Sequence, residues 1–253
     1  MRIPLLFLLL VAMTPHTDDA VPSGVYRWDD APSTPVEGGT RRDLASGSTT
    51  ALARLSVTAW TLEPGASLSA PAGQDEERLA IVRSGALRVA LDDTSATVGR
   101  GSVVVALPGE ASVLTNAGST PASFYLFAYV SRQPMRPERG REAGGSLIVD
   151  WNDVPFAPHD KGGRRNIMDR ATAAFSRLEM HVTTLNEGLV SHPPHTHPAE
   201  EFLLPIEGDT RESIDGIDHP AATGDLIFVD SMVRHNIANT GAGATTYFAF
   251  QWE

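Results

Sequence analysis

The sequence predicts an all-β chain built from two similar β-domains in tandem, and three observations carry that expectation. Short apolar runs at 79–82, 86–91, 102–107 and 123–130 end in Gly, Pro, Asp or Asn, which is all-β spacing. No stretch shows the 3.6-residue apolar period of a long amphipathic helix. The chain also matches itself at an offset of 123 residues: Gly65, Gly85, Gly101 and Asn116 fall on Gly188, Gly208, Gly224 and Asn239, with intervals of 20, 16 and 15 in both halves. Gly118 continues the register to Gly241, and Phe124, Tyr125, Phe127 and Tyr129 fall on Tyr247, Phe248, Phe250 and Trp252. A register kept through turns and a final strand implies duplication of one fold. Glycine and asparagine at such places serve turns that need positive φ.

Taken in order, residues 1–20 read as a secretory signal. One positive charge at Arg2, an apolar run over 3–13 and a polar exit fit that class, and the run is too short to cross a bilayer as a helix. The expected location is therefore periplasmic or secreted, with export in the unfolded state. Residues 21–131 form the first β-domain. Residues 132–146 are almost free of apolar side chains and read as a linker. Residues 147–253 form the second domain, where Leu178, Met180 and Val182 alternate with Glu179, His181 and Thr183.

Composition narrows the chemistry. Apolar residues make up 42% of the 253 and charged residues 20%, with no long run of like charge, so neither a disordered tail nor a nucleic-acid stripe is suggested. A net charge of −11 argues against polyanion partners. The expected partner is a small-molecule substrate, with no nucleic acid, no membrane anchor in the mature form, and homo-oligomerisation left open. The chain has no cysteine, which removes lipoprotein anchoring, disulfides and thiolate ligands together. Any metal must be held by nitrogen and oxygen.

The segment 188–208 carries such a set. His195 and His197 are two apart, so on a strand both imidazoles share a face. Glu201 follows after three residues and can bring a carboxylate to the same point. The segment 224–239 adds His235 as a fourth candidate. Burying several imidazoles and a carboxylate on one face without a cation is costly.

The pattern Gly, His-x-His, three residues, Glu, six residues, Gly, then Gly with His eleven residues later and Asn four after that closely resembles the two motifs of the cupins. It covers residues 188–239, and the duplication extends it to about 51–253. The resemblance implies two tandem cupin barrels of the double-stranded β-helix, or jelly-roll, type. It also implies that His195, His197, Glu201 and His235 ligate one divalent metal, with Mn, Fe, Ni, Cu or Zn suited to the donor set. The chain departs from the motif at Asp230-Ser231-Met232, where Pro-x-Gly is usual, and in a gap from Gly188 to His195 one residue longer. Pro205 suggests an edge position or a bulge. In the first copy the ligand positions become Ala72, Gln74, Arg78 and Ser112, so that barrel is expected to lack the site.

Around the centre, His192 is a candidate for moving protons during catalysis, His181 faces either the cavity or solvent, Glu200 faces away from Glu201, and Met232 packs as a gap-filler. The ligand-free first barrel and complete second one are similar in layout to ureidoglycine aminohydrolases, whose ligand set differs. The string Pro193-Pro194-His195-Thr196-His197 resembles the site of sugar isomerases acting on 5-keto-4-deoxyuronate. The expectation is a metal-dependent enzyme of hydrolase, isomerase or lyase type acting on a small oxygen-rich metabolite. A dioxygenase and a non-catalytic periplasmic metal or small-ligand binding protein are the alternatives.

Overall fold

Alternation along the strands sets the architecture. In the strand Leu178–Leu185, Leu178, Met180 and Val182 join a large apolar core, while His181 and Thr183 turn to the opposite face, as the two-residue period requires. The computed structural model describes residues 20–70, 75–92 and 94–253. The apolar run at 3–13, read as a signal, lies outside the described residues, as do Ala72 and Gln74.

Two sheets form in each half. The first large sheet has seven strands in the order Leu147–Val149, Val103–Ala106, Glu77–Ser84, Ala122–Ser131, Leu52–Leu62, Gly39–Gly47, Thr34–Val36. A four-stranded sheet, Ser67–Ala70, Ser112–Asn116, Leu87–Leu91, Thr94–Val98, packs on it. The second large sheet runs Gly24–Tyr26, Leu226–Val229, Glu200–Glu207, Thr245–Trp252, Leu178–Leu185, Gly162–Arg170, Ala157–His159. It faces a three-stranded sheet, Ile217–Ala221, Thr210–Ile214, His235–Asn239. All the pairings between these strands are antiparallel. The protein is all-β, two tandem jelly-roll barrels.

The large sheets pack against each other through a shared core in which Phe127 meets Phe202 at 5.3 Å and Phe250 at 5.2 Å between ring centroids. Each barrel also lends a strand to the other. Gly24–Tyr26 pairs with Leu226–Val229 of the second sheet, and Leu147–Val149, 123 residues on, pairs with Val103–Ala106 of the first. The repeat thus begins near residue 24, earlier than the turn residues revealed. Trp28 with Arg42 and Trp151 with Arg165 are its missed markers: each guanidinium lies over its indole, at 5.2 and 4.7 Å, and donates to a backbone carbonyl, of Ala31 and Val154.

The turn residues do what duplication requires, by two routes. Gly101 and Gly224 have φ of +83° and +99°, and a Cβ on Gly101 would come within 2.4 Å of the Trp151 ring. Asn116 and Asn239 act instead through the side chain. Asn116 donates to Leu62 and Thr120 carbonyls and accepts from the Gly118 amide; Asn239 does the same with Leu185, Gly243 and Gly241. Residues 132–146 contain a six-residue helix, Pro137–Glu142, with proline in its first turn and Arg139 bound to the Thr172 and Ala173 carbonyls. Pro205 sits in an interior strand, and the register shifts between Pro205 and Glu207. The bulge reading holds and the edge reading does not, because the ladder to Leu226–Val229 has ended at Leu203 before the missing amide is needed.

Candidate metal centre

The segment ahead of the histidines decides how they are presented. In the first barrel, Ser67–Ala70 is a full strand on Ser112–Asn116. In the second, the corresponding chain is irregular and forms no regular ladder, with isolated bridges at Val190–Ala238 and His195–His235. Pro193, Pro194 and Pro198 have no amide hydrogen to give a ladder, so His195 and His197 do not lie on a regular strand as the spacing suggested. Backbone bonds between His195 and His235, 3.1 and 3.0 Å, fasten this loop to the strand His235–Asn239.

The imidazoles converge nonetheless. One ligand nitrogen from each of His195, His197 and His235 lies within 4.8 Å of the others. Glu201 Oε2 is 3.1 Å from His235 Nε2 and 3.7 Å from His197 Nε2. The Nδ1 atoms of His197 and His235 are 2.8 and 2.9 Å from the carbonyls of Ala199 and Val233. A carbonyl only accepts, so each Nδ1 carries the hydrogen and each Nε2 faces inward, the arrangement of a metal-ligating histidine. A neutral Nε2 and a carboxylate both offer lone pairs, so a proton or a cation must lie between them. Burial alone would raise the Glu201 carboxyl, but its contacts with His197 and His235 outweigh that and hold it at about 2. Contact with Glu201 raises His197, whereas burial, then the neighbouring rings, lowers His195. The donors fit a divalent cation of nitrogen and oxygen preference.

The centre opens into a cavity of about 480 Å³. His192 lies on its wall with its ring 4.2 Å from that of His195 and its Nδ1 3.1 Å from the Pro193 carbonyl. His181 lines the cavity too, its Nδ1 held 2.9 Å from Glu179. Glu200 points the other way, accepting from Thr49 Oγ1, the Ala51 amide and Trp252 Nε1 at 2.7, 2.7 and 3.0 Å. Met232 does not fill a gap. It is 59% exposed and stands where the motif has glycine, with φ of +62°, and its amide donates to the His197 carbonyl at 2.9 Å.

The two barrels form an internal control. At the 123-residue offset the cavity-lining Thr183, Ser191, Tyr247 and Ala249 become Trp60, Leu68, Phe124 and Leu126; Phe124 is buried with Leu114 in the apolar core of the first barrel, and the other three, partly buried, pack against it. Of the ligand equivalents described there, Arg78 is bound to Glu76 at 3.0 Å, and Ser112 is buried. One group was missed from the sequence: Glu212 is fully buried on the strand Thr210–Ile214, opposite Ile237, and neither carboxyl oxygen has a hydrogen-bond partner. Burial, then the charge of Glu201, pushes its carboxyl up. Its first-barrel equivalent is Val89, a contrast that a comparison of the two halves position by position would have exposed.

Comparison with known proteins places this geometry. The cupin domain family matches residues 181–250. Protein SchB of Streptomyces halstedii is 32% identical over 96 residues, 37% of this chain and 68% of that protein. The chain belongs to the cupin superfamily. Among solved structures it is similar to AerE of Microcystis aeruginosa, with 14% identity, a TM-score of 0.66, and coverage of 88% of this chain and 98% of the other. The oxalate decarboxylase of Lactobacillus farciminis aligns with 13% identity and a TM-score of 0.69, over 92% and 87% of the two chains. These structural likenesses concern the fold.

Proposed function

We propose that this protein is an exported, metal-dependent enzyme that acts on a small oxygen-rich metabolite through one divalent ion held by His195, His197, Glu201 and His235. The observation that carries the reading is a convergent donor set on the wall of an open cavity, present in the barrel whose cavity lining is polar and replaced in the one whose equivalent residues are apolar. Such an ion would polarise a substrate oxygen and lower the pKa of water bound to it. Manganese, iron, nickel, copper and zinc all suit these donors. His192 is the proton-moving candidate: its Nδ1 is engaged by the Pro193 carbonyl, which leaves Nε2 for the cavity. Hydrolysis, isomerisation and elimination are the reaction classes that match a Lewis-acidic ion beside a single mobile proton. The apolar run at 3–13 supports export, and a site of nitrogen and oxygen donors filled afterwards would take up whatever ion the medium supplies.

The test is turnover. Metal-loaded protein is expected to convert a member of a panel of uronates, keto acids, ureides and phenolics. His192→Gln is expected to keep the metal and lower kcat by about 10²-fold or more. Tight binding of an unchanged ligand, with no product anywhere in the panel, would leave a binding protein in place of an enzyme; it would show as ligand-dependent stabilisation alone.

A further inference from the structure

Chain charge and cavity charge disagree. The protein carries a net −11 and a single lysine, yet that lysine, Lys161, lines the cavity of the metal centre. Its ammonium donates to the Val190 and Ser191 carbonyls at 3.1 and 2.8 Å. An ammonium has three hydrogens, so one remains for a group in the cavity. Among the described residues no carboxylate is bonded to it: its two acceptors there are neutral carbonyls, which leave its charge without an ion pair. The other cation of the lining, Arg164, is already committed, with its guanidinium 2.7 Å from Glu179. Glu201 belongs to the donor set, and the exposed Glu253, the other carboxylate of the lining, is attracted to Arg177. The first barrel, with its filled interior, has Gly38 in place of Lys161.

We propose that Lys161 receives a carboxylate of the substrate, so that the enzyme acts on small carboxylic acids, with an oxygen-bearing carbon of the same molecule directed at the metal. This rests on the functional reading above and adds the substrate class. The ammonium hydrogen left over matches a carboxylate oxygen, while the divalent ion would take a second oxygen of the same molecule. On a chain of net charge −11, a local positive group offsets the repulsion that an entering anion meets. The volume of about 480 Å³ accommodates a molecule of a few carbons up to a single sugar acid.

The probes are glycolate, lactate, pyruvate and galacturonate, each against its neutral amide, titrated calorimetrically into metal-loaded protein. The wild type is expected to prefer an acid of the series over its amide. Lys161→Gln is expected to reduce that preference about tenfold with unchanged metal content, and Lys161→Arg to restore most of it. If Lys161 only pins the Val190–Ser191 backbone, Lys161→Gln weakens acid and amide alike, and the proposal falls. An unchanged preference in Lys161→Gln, or no binding by any acid, also overturns it. Failure of the wild type to retain metal defeats the functional reading itself and is read separately, from elemental content before any ligand is added.

Discussion

Glu212 is the residue at which the second barrel departs furthest from what packing alone would choose. A buried carboxyl with two unpartnered oxygens costs about 1–3 kcal/mol relative to an apolar side chain of similar size, and the first barrel has Val89 in its place. The cost depends on pH, and the sign follows from the raised carboxyl. Below the ordinary carboxylate range both folded and unfolded chains hold the proton. Above it the unfolded chain releases its proton while burial and Glu201 keep Glu212 protonated, so stability falls as pH rises towards the folded-state value. Glu212→Leu is therefore expected to stabilise the metal-free protein by about 1–3 kcal/mol at pH 7.5 and by less at pH 5. Urea unfolding at the two pH values checks this; an equal gain at both, or a loss at pH 7.5, contradicts it. Glu212 was not legible because a single charged residue in a strand reads as solvent-facing until its register is known. The convergence of His195, His197, Glu201 and His235 was legible because three histidines and a carboxylate stand at fixed spacing, a pattern that survives irregular backbone.

Between elements, the two barrels hold each other by a reciprocal clasp that local patterns could not disclose. Glu77 accepts from Tyr129 Oη at 2.8 Å and from the Ala173 and Ala174 amides at 2.8 and 3.1 Å. Glu200, 123 residues later, accepts from Trp252 Nε1, the Ala51 amide and Thr49 Oγ1. Each carboxyl thus fixes a turn that leads into the other half, where Thr49 and Thr172 receive the amides of Leu52 and Phe175. Burial raises both carboxyls, Glu200 to about 7. Glu200→Ala removes the acceptor of three donors and is expected to cost at least about 2 kcal/mol. Thermal unfolding with and without Glu77→Ala tests the pairing: each single change should lower Tm, and a variant whose Tm is unchanged contradicts the clasp. In the sequence Glu77 stands one place before Arg78, and no local pattern marks it. Its meaning lies in contacts 96 and 97 residues away, and pattern reading ends where such long-range contacts begin. The strand exchange of Gly24–Tyr26 and Leu147–Val149 was hidden for the same reason, since a three-residue strand carries too little periodicity to be read.

At the scale of the whole molecule, duplication left the convergent donor set in one barrel and apolar residues at the equivalent lining positions of the other. The repeat was legible from glycines, asparagines and closing aromatics, because positive φ and buried turn amides tolerate few substitutes. The difference between the copies is chemical. Trp60, Leu68, Leu114, Phe124 and Leu126 occupy the first interior, while the second keeps a cavity lined by histidines, Thr183 and Gln251. The central claim is that only the second interior holds metal. Elemental analysis of the purified protein after exhaustive dialysis tests it most directly, beside a His195→Ala/His197→Ala double variant whose fold is verified by circular dichroism. About one divalent ion per chain in the wild type and none in the folded double variant is the result expected, since two of four ligands are gone. Two ions per chain, or one retained by the double variant, would contradict the assignment of the second barrel as the sole site.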